Sequence, residues 1–495
     1  MSLVTVLPLS YNELIADALV EIVSRGVGLR VSVVMKFLHI ADVHLGCRRY
    51  NLDERVKDFA RAWYDVIERY AIERAVDFVL IAGDFFNARK VEPEAMNHAM
   101  AGLGRLRDAG IPVVAIEGNH DQKDSISDYS WMRSLSQWGY LVLLEPAQDA
   151  EGNMALLPWD EETRAGSYID IAGARIFGTH WYGTSANAAV PLLADALRRA
   201  HGEDLFNILL LHTDVEGQLN RPNIPALSLE RMKELQGLVD YLALGHTHKR
   251  FEIEGWAYNP GSLEAVSIDE YKEERGVYLV TVDKRGRAHA EHLRDYTQRP
   301  FQRLNFDVSG ALDPEAVHEG VMEVVEREAR RHEPDDNESP APIIEINLRG
   351  HLGFKNSLLD IPRMREEVKQ LTGALHVLIT NRSVPVEYAV AAGLDADASR
   401  QVRERRIVED LIARDTRFRA RAHEMAALVL EAKRLALAEE SPEKILDLIE
   451  QHVAPLEREA AATQLAEAGD EATLAPASAL QALERNAAQA VTSDK

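Results

Sequence analysis

Cysteine is nearly missing from this 495-residue chain: Cys47 stands alone. That excludes an internal disulfide framework and any thiolate-rich zinc site, and it accords with a reducing, cytoplasmic setting. No apolar run approaches the roughly 20 residues of a membrane-spanning helix, so no membrane partner is expected. Positive charge is in deficit, with 56 Lys+Arg against 80 Asp+Glu and a net charge of -24. A polyanionic partner would therefore have to be drawn in locally, by bound metal or a basic surface, because the chain as a whole repels it. The first 34 residues lack the basic start and small-residue cleavage site of a signal peptide; "SYNELIADALVEIVSRG" reads instead as an amphipathic helix with Ser10 and Glu13 as a capping box. Because "MKFLHIADVHLG" at Met35 opens the first core strand, residues 1–34 are expected to be a peripheral extension or an upstream start. At this length the chain can bury a full core in about two to four domains.

What is present is a recurrent pattern. Five apolar runs of strand length each end in oxygen or imidazole side chains: "VVMKFLHIADVH" in Asp42 and His44, "VDFVLIAGD" in Asp84, "IPVVAIEGNHD" in Asn119, His120 and Asp121, "NILLLHTD" in His212, and "LALGHTHKR" in His246 and His248. Runs so rich in Val, Ile and Leu fit strands buried on both faces. Between the first three lie helical patterns: Val56, Phe59, Trp63, Val66, Ile67 and Tyr70, then Met96, Ala99, Leu103 and Leu106, stopped at Gly110. The order is β-α-β-α-β, and in such sheets ligands bind where the carboxyl ends of parallel strands open onto a common crevice. Seven groups then meet at one edge: Asp42, His44, Asp84, Asn119, His212, His246 and His248. These are too many for one tetrahedral ion and suit two divalent ions about 3.5–4 Å apart, bridged by a carboxylate, for which Asp84 is the best placed. Two such ions bring about +4 against two carboxylates, so the centre stays electropositive and attracts phosphate. Nitrogen and oxygen donors without sulfur permit Mn²⁺, Fe²⁺ or Zn²⁺ and do not choose among them; the expected cofactor is a pair of divalent ions, taken as Mn²⁺.

In this order, "DVH", "GD", "GNHD", a lone His and "GHTH" resemble the calcineurin-like metallophosphoesterase superfamily over residues 35 to about 270. Within it, "HIADVHLG", "GDFF", "IEGNHD" and "NPGSLE" are similar to the SbcD-type nucleases of double-strand-break repair. The resemblance implies an α/β fold of two mixed sheets flanked by helices. It implies one metal on Asp42, His44, Asp84 and His248, the other on Asp84, Asn119, His212 and His246, and His120 as the catalytic group that assists the leaving oxygen. Asp121 would orient the loop from behind the ligands. Many relatives carry Asp or His three residues after the bridging aspartate; this chain has Asn87, whose amide can orient His120 without giving it a charge partner. Arg48, Arg49, Lys249 and Arg250 adjoin the motifs as candidate DNA-phosphate contacts, with solvated surface cations as the alternative. His39 reads as a core residue.

The pattern changes after residue 298. Residues 299–390 read as strand, helix, strand, helix, strand, a small α+β domain that the resemblance casts as a cap over the cleft that helps to hold DNA. The acidic, proline-containing "RHEPDDNESPAP" is a loop within it. Residues 399–454 are helical, with apolar stripes at Phe418, Ala422, Met425 and Val429 and at Ile445, Leu448, Ile449 and Val453. They form either a hairpin that folds back on its own domain or, as the resemblance implies, a docking segment for an SbcC-type coiled-coil ATPase. Residues 455–495 are Ala-rich and expected to be a flexible tail. The function so expected is a metal-dependent DNA exonuclease/endonuclease, homodimeric and working with that ATPase. Its alternatives are a phosphatase or nucleotide phosphodiesterase on the same core, and a binding subunit without activity.

Overall fold

The computed structural model describes residues 33–123, 127, 129–218, 226–329, 331, 340–385, 399–413, 418–438 and 440–452. The expected N-terminal helix, most of the acidic loop and the Ala-rich tail lie outside the described residues. The described residues up to Leu293 run β1 (Val33–Ile40), α1 (Asp53–Val66), β2 (Phe78–Ala82), α2 (Pro93–Asp108), β3 (Val113–Ile116), α3 (Trp131–Gln137), β4 (Val142–Leu143) and a short hairpin, β5 (Ala147–Gln148) and β6 (Met154–Ala155). They continue with β7 (Tyr168–Ile171), β8 (Ala174–Phe177), α4 (Ala186–Ala200), β9 (Phe206–His212), α5 (Leu229–Lys233), β10 (Tyr241–Gly245), β11 (Phe251–Ile253), β12 (Ala257–Asn259), β13 (Val277–Asp283) and β14 (Ala288–Leu293).

Two six-stranded sheets result, in the orders β14-β13-β1-β2-β3-β4 and β11-β12-β10-β9-β8-β7. Each is mixed. In the first, β1 to β4 are parallel and β13 joins β1 antiparallel. In the second, β8, β9, β10 and β12 are parallel and flanked by antiparallel edges. The alternation of side chains along each strand explains the layering. Phe37, Phe78, Leu80, Val114 and Ile116 from the first sheet pack with Ile176, Ile208, Leu210, Tyr241 and Ala243 from the second. The intervening positions, Leu38, Val79, Ile81, Val113 and Ala115, face Trp63, Val66, Leu103 and Leu106 of α1 and α2. On the far side Leu209, Leu211, Leu242 and Leu244 face Val190, Leu193 and Leu197 of α4. This is the expected arrangement of two facing mixed sheets between helices. His39 bridges the sheets as a buried core residue, its ring nitrogens 3.0 Å from Tyr241 Oη and 3.0 Å from the Leu244 carbonyl.

The rest of the chain contributes β15 (Phe301–Asp307), α6 (Pro314–Glu328), β16 (Ile343–Arg349), β17 (His351–Leu352), α7 (Ile361–Thr372), β18 (His376–Asn381), β19 (Val384–Pro385), α8 (Arg400–Ile412) and α9 (Ala422–Leu437). Strands β15, β16 and β18 form a three-stranded sheet in the order β15-β16-β18. By contact the chain divides into two compact units. One contains the described residues up to Asn305 with Val321–Asn347 and Pro362–Thr380; the other contains Phe306–Gly320, Leu348–Ile361 and the described residues from Asn381 onward. In the first unit a buried ion network marks the exit from the two-sheet body. Asp58 of α1 takes Arg55 at 2.6 Å and both Arg299 nitrogens at 2.6 and 2.7 Å, while Glu264 accepts from the Arg299 main-chain N–H at 2.8 Å. In the second unit α8 and α9 are joined by the Lys433–Glu404 pair and by Arg405 with His423 at 3.1 Å.

Candidate metal centre

Every strand whose end carries a polar motif delivers it to the same edge. The chain leaves β1, β2 and β10 in backbone that ordinary residues avoid: Asp42, His44 and Asp84 sit at φ 51° and His246 at φ 89°. Left-handed backbone at residues other than glycine costs about 1–2 kcal/mol each and persists where the surroundings over-determine it. Here the surroundings are visible. The Asp42 carboxylate accepts the His246 N–H at 3.0 and 3.1 Å, joining the end of β1 to the end of β10. Asp84 Oδ1 accepts the His120 N–H at 2.9 Å. Asp121 is buried and accepts three main-chain N–H groups, from Phe85 at 3.1 Å, Phe86 at 2.8 Å and Gly118 at 3.0 Å, so it ties the loop after β2 to the loop after β3.

The ligand atoms gather in three sets, each within 4.8 Å: Asp42, His44 and His248; Asp84, His212 and His246; and His44, Asp84 and His120. Asn119 Oδ1 lies 3.3 Å from His212 Nε2, adding the seventh expected donor. Their fit to cations can be tested on protein atoms alone. His44 Nε2 faces His248 Nε2 at 3.0 Å, and His246 Nδ1 faces His212 Nε2 at 3.2 Å. Neutral imidazole nitrogens aimed at each other need a proton or a cation between them, and two buried carboxylates beside them need positive charge. Electrostatics agree. Burial alone would raise Asp84, but His212 beside it holds its carboxyl well below the usual range, and the same contact, against burial, lifts His212 to about 9. Burial pulls His44 down to about 3 and pushes Asp42 up. These residues fit a pair of divalent ions, with Asp84 common to two of the sets.

Several supporting groups have no counterpart in the motif reading. Glu270 Oε1 lies 2.9 Å from His248 Nδ1, and Arg275 holds the same carboxylate at 3.3 Å. Burial works against it, yet the hydrogen bond with His248 keeps the Glu270 carboxyl down at about 2. Asp214, two residues after His212, receives Thr247 Oγ1 at 2.9 Å and stands 3.5 Å from His246 Nε2. Such outer carboxylates fix ring orientation and raise ligand basicity. Asp214 was legible as the end of "HTD"; Glu270 carried no local signal. Asn87 acts differently from expectation: its main-chain carbonyl, not its amide, meets His120 Nδ1 at 2.6 Å. The side chain at 87 is therefore not what orients His120.

Asp84, Asn119, His120, His246, His248, Lys249, Glu270 and Glu273 line a cavity of about 320 Å³ over this cluster. Of the four candidate DNA cations only Lys249 reaches it, and Glu273 pairs with it at 3.8 Å. Arg48 pairs with Asp53, Arg49 lies 5.5 Å over the Tyr50 ring, and Arg250 is bound to Tyr278 Oη at 2.9 Å and Glu252 at 3.3 Å. Arg89, which the motifs did not single out, reaches the Asn119 carbonyl at 3.4 Å.

Residues 35–250 match the profile of the calcineurin-like phosphoesterase family. The two-sheet body is thus similar to calcineurin-like phosphoesterase domains. The expected resemblance and the expected two-sheet fold hold over these residues. The chain is 33% identical over 244 residues to the DNA double-strand break repair protein Mre11 of Archaeoglobus fulgidus, covering 48% of this chain and 52% of that one. It is 27% identical over 336 residues to Mre11 of Sulfurisphaera tokodaii, 66% of this chain and 76% of the other, and 26% identical over 441 residues to Mre11 of Methanosarcina mazei, 86% and 64%. It thus spans about half the length of the first of these relatives. Among the described residues no helix is long and apolar enough to cross a membrane.

Proposed function

We propose that the chain is a metal-dependent nuclease of DNA double-strand-break repair, hydrolysing phosphodiester bonds at the centre held by Asp42, His44, Asp84, Asn119, His212, His246 and His248. The observation that carries this reading is the convergence of those side chains from five strand ends on sets narrow enough for two cations. The relatives, named as double-strand break repair proteins, support DNA as the substrate. Bound as a pair, most simply as Mn²⁺, the ions would polarise the phosphate and acidify water. The protein's own part is to fix the ligands and to manage the proton. With Nδ1–H donated to the Asn87 carbonyl, His120 keeps its other ring nitrogen to protonate the leaving oxygen. Glu270 and Asp214 hold two ligand rings, and Asp121 holds the loops that carry Asp84 and Asn119.

The remainder of the reading is an SbcD-like subunit working in the cytoplasm as a homodimer. The small domain of residues 299–390 helps to hold duplex DNA, and the C-terminal helices dock on an SbcC-type coiled-coil ATPase. Val402, Ile407 and Leu411 of α8 and Val429 and Leu437 of α9 are exposed, as a docking face requires. The ion-paired cations at the cleft favour a second reading, a phosphatase or nucleotide phosphodiesterase. Purified protein in Mn²⁺ should cleave linear duplex and hairpin DNA; turnover of a nitrophenyl phosphate monoester without DNA cleavage would overturn the nuclease in favour of the phosphatase.

A further inference from the structure

The loop carrying His246 and His248 leaves β10 in a left-handed conformation, so its course is set by what grips it rather than by local preference. The grip comes from one turn. Asn259, the last residue of β12 and fully buried, donates its side-chain amide to the Thr247 carbonyl at 2.6 Å and to the Lys249 carbonyl at 2.9 Å. Between them the His248 carbonyl accepts the Ser262 N–H at 3.3 Å. Three consecutive carbonyls, spanning the whole stretch between and after the two ligands, are thus captured by residues 259–262. The chemistry is particular to an amide: one nitrogen carries two donors for two carbonyls, while Asn259 Oδ1 is buried without a hydrogen-bond partner. A core residue needed only for packing would not leave an acceptor orphaned, at a cost of about 1–3 kcal/mol.

We propose that Asn259 is a positioning residue for both cations at once. Its amide fixes the main chain on either side of His248 and immediately after His246, so both rings depend on it, whereas Glu270 governs the His248 ring alone. This inference rests on the metal-centre reading above. Asn259→Asp keeps the shape but turns a carboxylate oxygen toward the two carbonyls, and the loop must move to escape the repulsion. Asn259→Ser, whose hydroxyl reaches at most one carbonyl, is the milder variant should the first fail to fold.

The experiment titrates metal-free, folded protein with Mn²⁺ by calorimetry and follows the spin-coupled Mn²⁺ pair by electron paramagnetic resonance, with circular dichroism as the check on folding. Wild-type protein should bind two ions. The folded Asn259 variant should lose affinity about 10- to 100-fold at both and lose the coupled signal, while Glu270→Gln weakens one ion only. A folded variant that binds two ions with wild-type affinity and coupling overturns the role of Asn259 while leaving the centre intact. Wild-type protein that binds no pair overturns the centre and this inference together.

Discussion

Gly118 offers a test of the site's geometry that leaves every ligand in place. A Cβ built there would lie 2.1 Å from Asp84 Oδ1 and 2.4 Å from the Asp84 main-chain nitrogen, against ordinary contacts of 3.4 Å or more. Gly118 is not in the left-handed region, so alanine meets no backbone strain and the effect is purely steric. Because Asp84 is bound to the His120 N–H and Gly118 to Asp121, neither partner can withdraw freely, and the carboxylate shared by two ligand sets has to shift by about 1 Å. Overpacking of this kind costs about 1–3 kcal/mol of stability, and a displacement of about 1 Å at a reacting centre costs about 100-fold in rate. Gly118→Ala should therefore slow DNA cleavage in Mn²⁺ at least about 100-fold and lower the urea midpoint. Gly104→Ala, on helix α2, is the control: its nearest contact is Tyr140 at 3.9 Å, and it should gain about 0.5–1 kcal/mol with unchanged rate. A Gly118→Ala protein with wild-type rate and Mn²⁺ content would refute the claim that this approach shapes the centre. Gly245 makes the same point from the second sheet, where a Cβ would lie 2.1 Å from the Ala82 carbonyl and 2.9 Å from His212 Nδ1.

Three further outcomes follow. His120→Ala should lower cleavage about 10²- to 10⁴-fold with both metals retained, measured as single-turnover rate beside metal content; normal cleavage would remove His120 from the mechanism. His39, pulled down to about 3 by burial, stays neutral in the folded protein while the unfolded chain takes up a proton below pH 6.5, so its stabilisation is present above 6.5 and is lost as pH falls toward 3. The stability advantage of wild type over His39→Gln should shrink by about 1.4 kcal/mol per pH unit through that window in urea titrations, and a constant difference would contradict it. Because Arg48, Lys249 and Arg250 are tied to acids, metal-free protein should bind duplex DNA with a log–log salt slope no steeper than about -2; a slope near -6 would mean a basic surface elsewhere.

The strand ends were legible because buried parallel strands are near-continuous apolar runs, and a polar residue at their carboxyl end has few uses besides binding. That is why Asp42, Asp84 and His212 could be placed together although up to 170 residues separate them. The helices of the first half were equally plain, since Val56, Phe59, Trp63 and Val66 repeat at helical spacing and are buried as a stripe. What sequence did not carry is whatever depends on which loops come to touch. Glu270 is 22 positions from His248, with no periodicity linking them. Asn87 was weighed for its side chain, but its carbonyl does the work, and a carbonyl is common to every residue type. The left-handed turns at Asp42, His44 and Asp84 are uncommon for non-glycine residues and are held by contacts between loops, the Asp42 and His44 N–H groups donating to the Gly83 and Asp84 carbonyls and Asp121 gripping the loop after Asp84.

The charge balance and the site now bear on one another. A chain with net charge -24 that pairs its cations near the cleft has little long-range attraction for a polyanion. Around the ligands the acids are spent as well: Glu270 serves His248 and Arg275, Glu273 serves Lys249, and Asp214 serves Thr247 and His246. On the proposed reading, the cavity's attraction for phosphate would come chiefly from cations held by seven donors of which only Asp42 and Asp84 are acidic, leaving about +2 on a dinuclear divalent centre, with Arg89 beside Asn119 as a second source. Substrate capture and catalysis are in that case one event. Metal-depleted protein should bind DNA more weakly than metal-loaded protein as well as losing activity, and removing a ligand such as His248 should weaken binding as well as turnover.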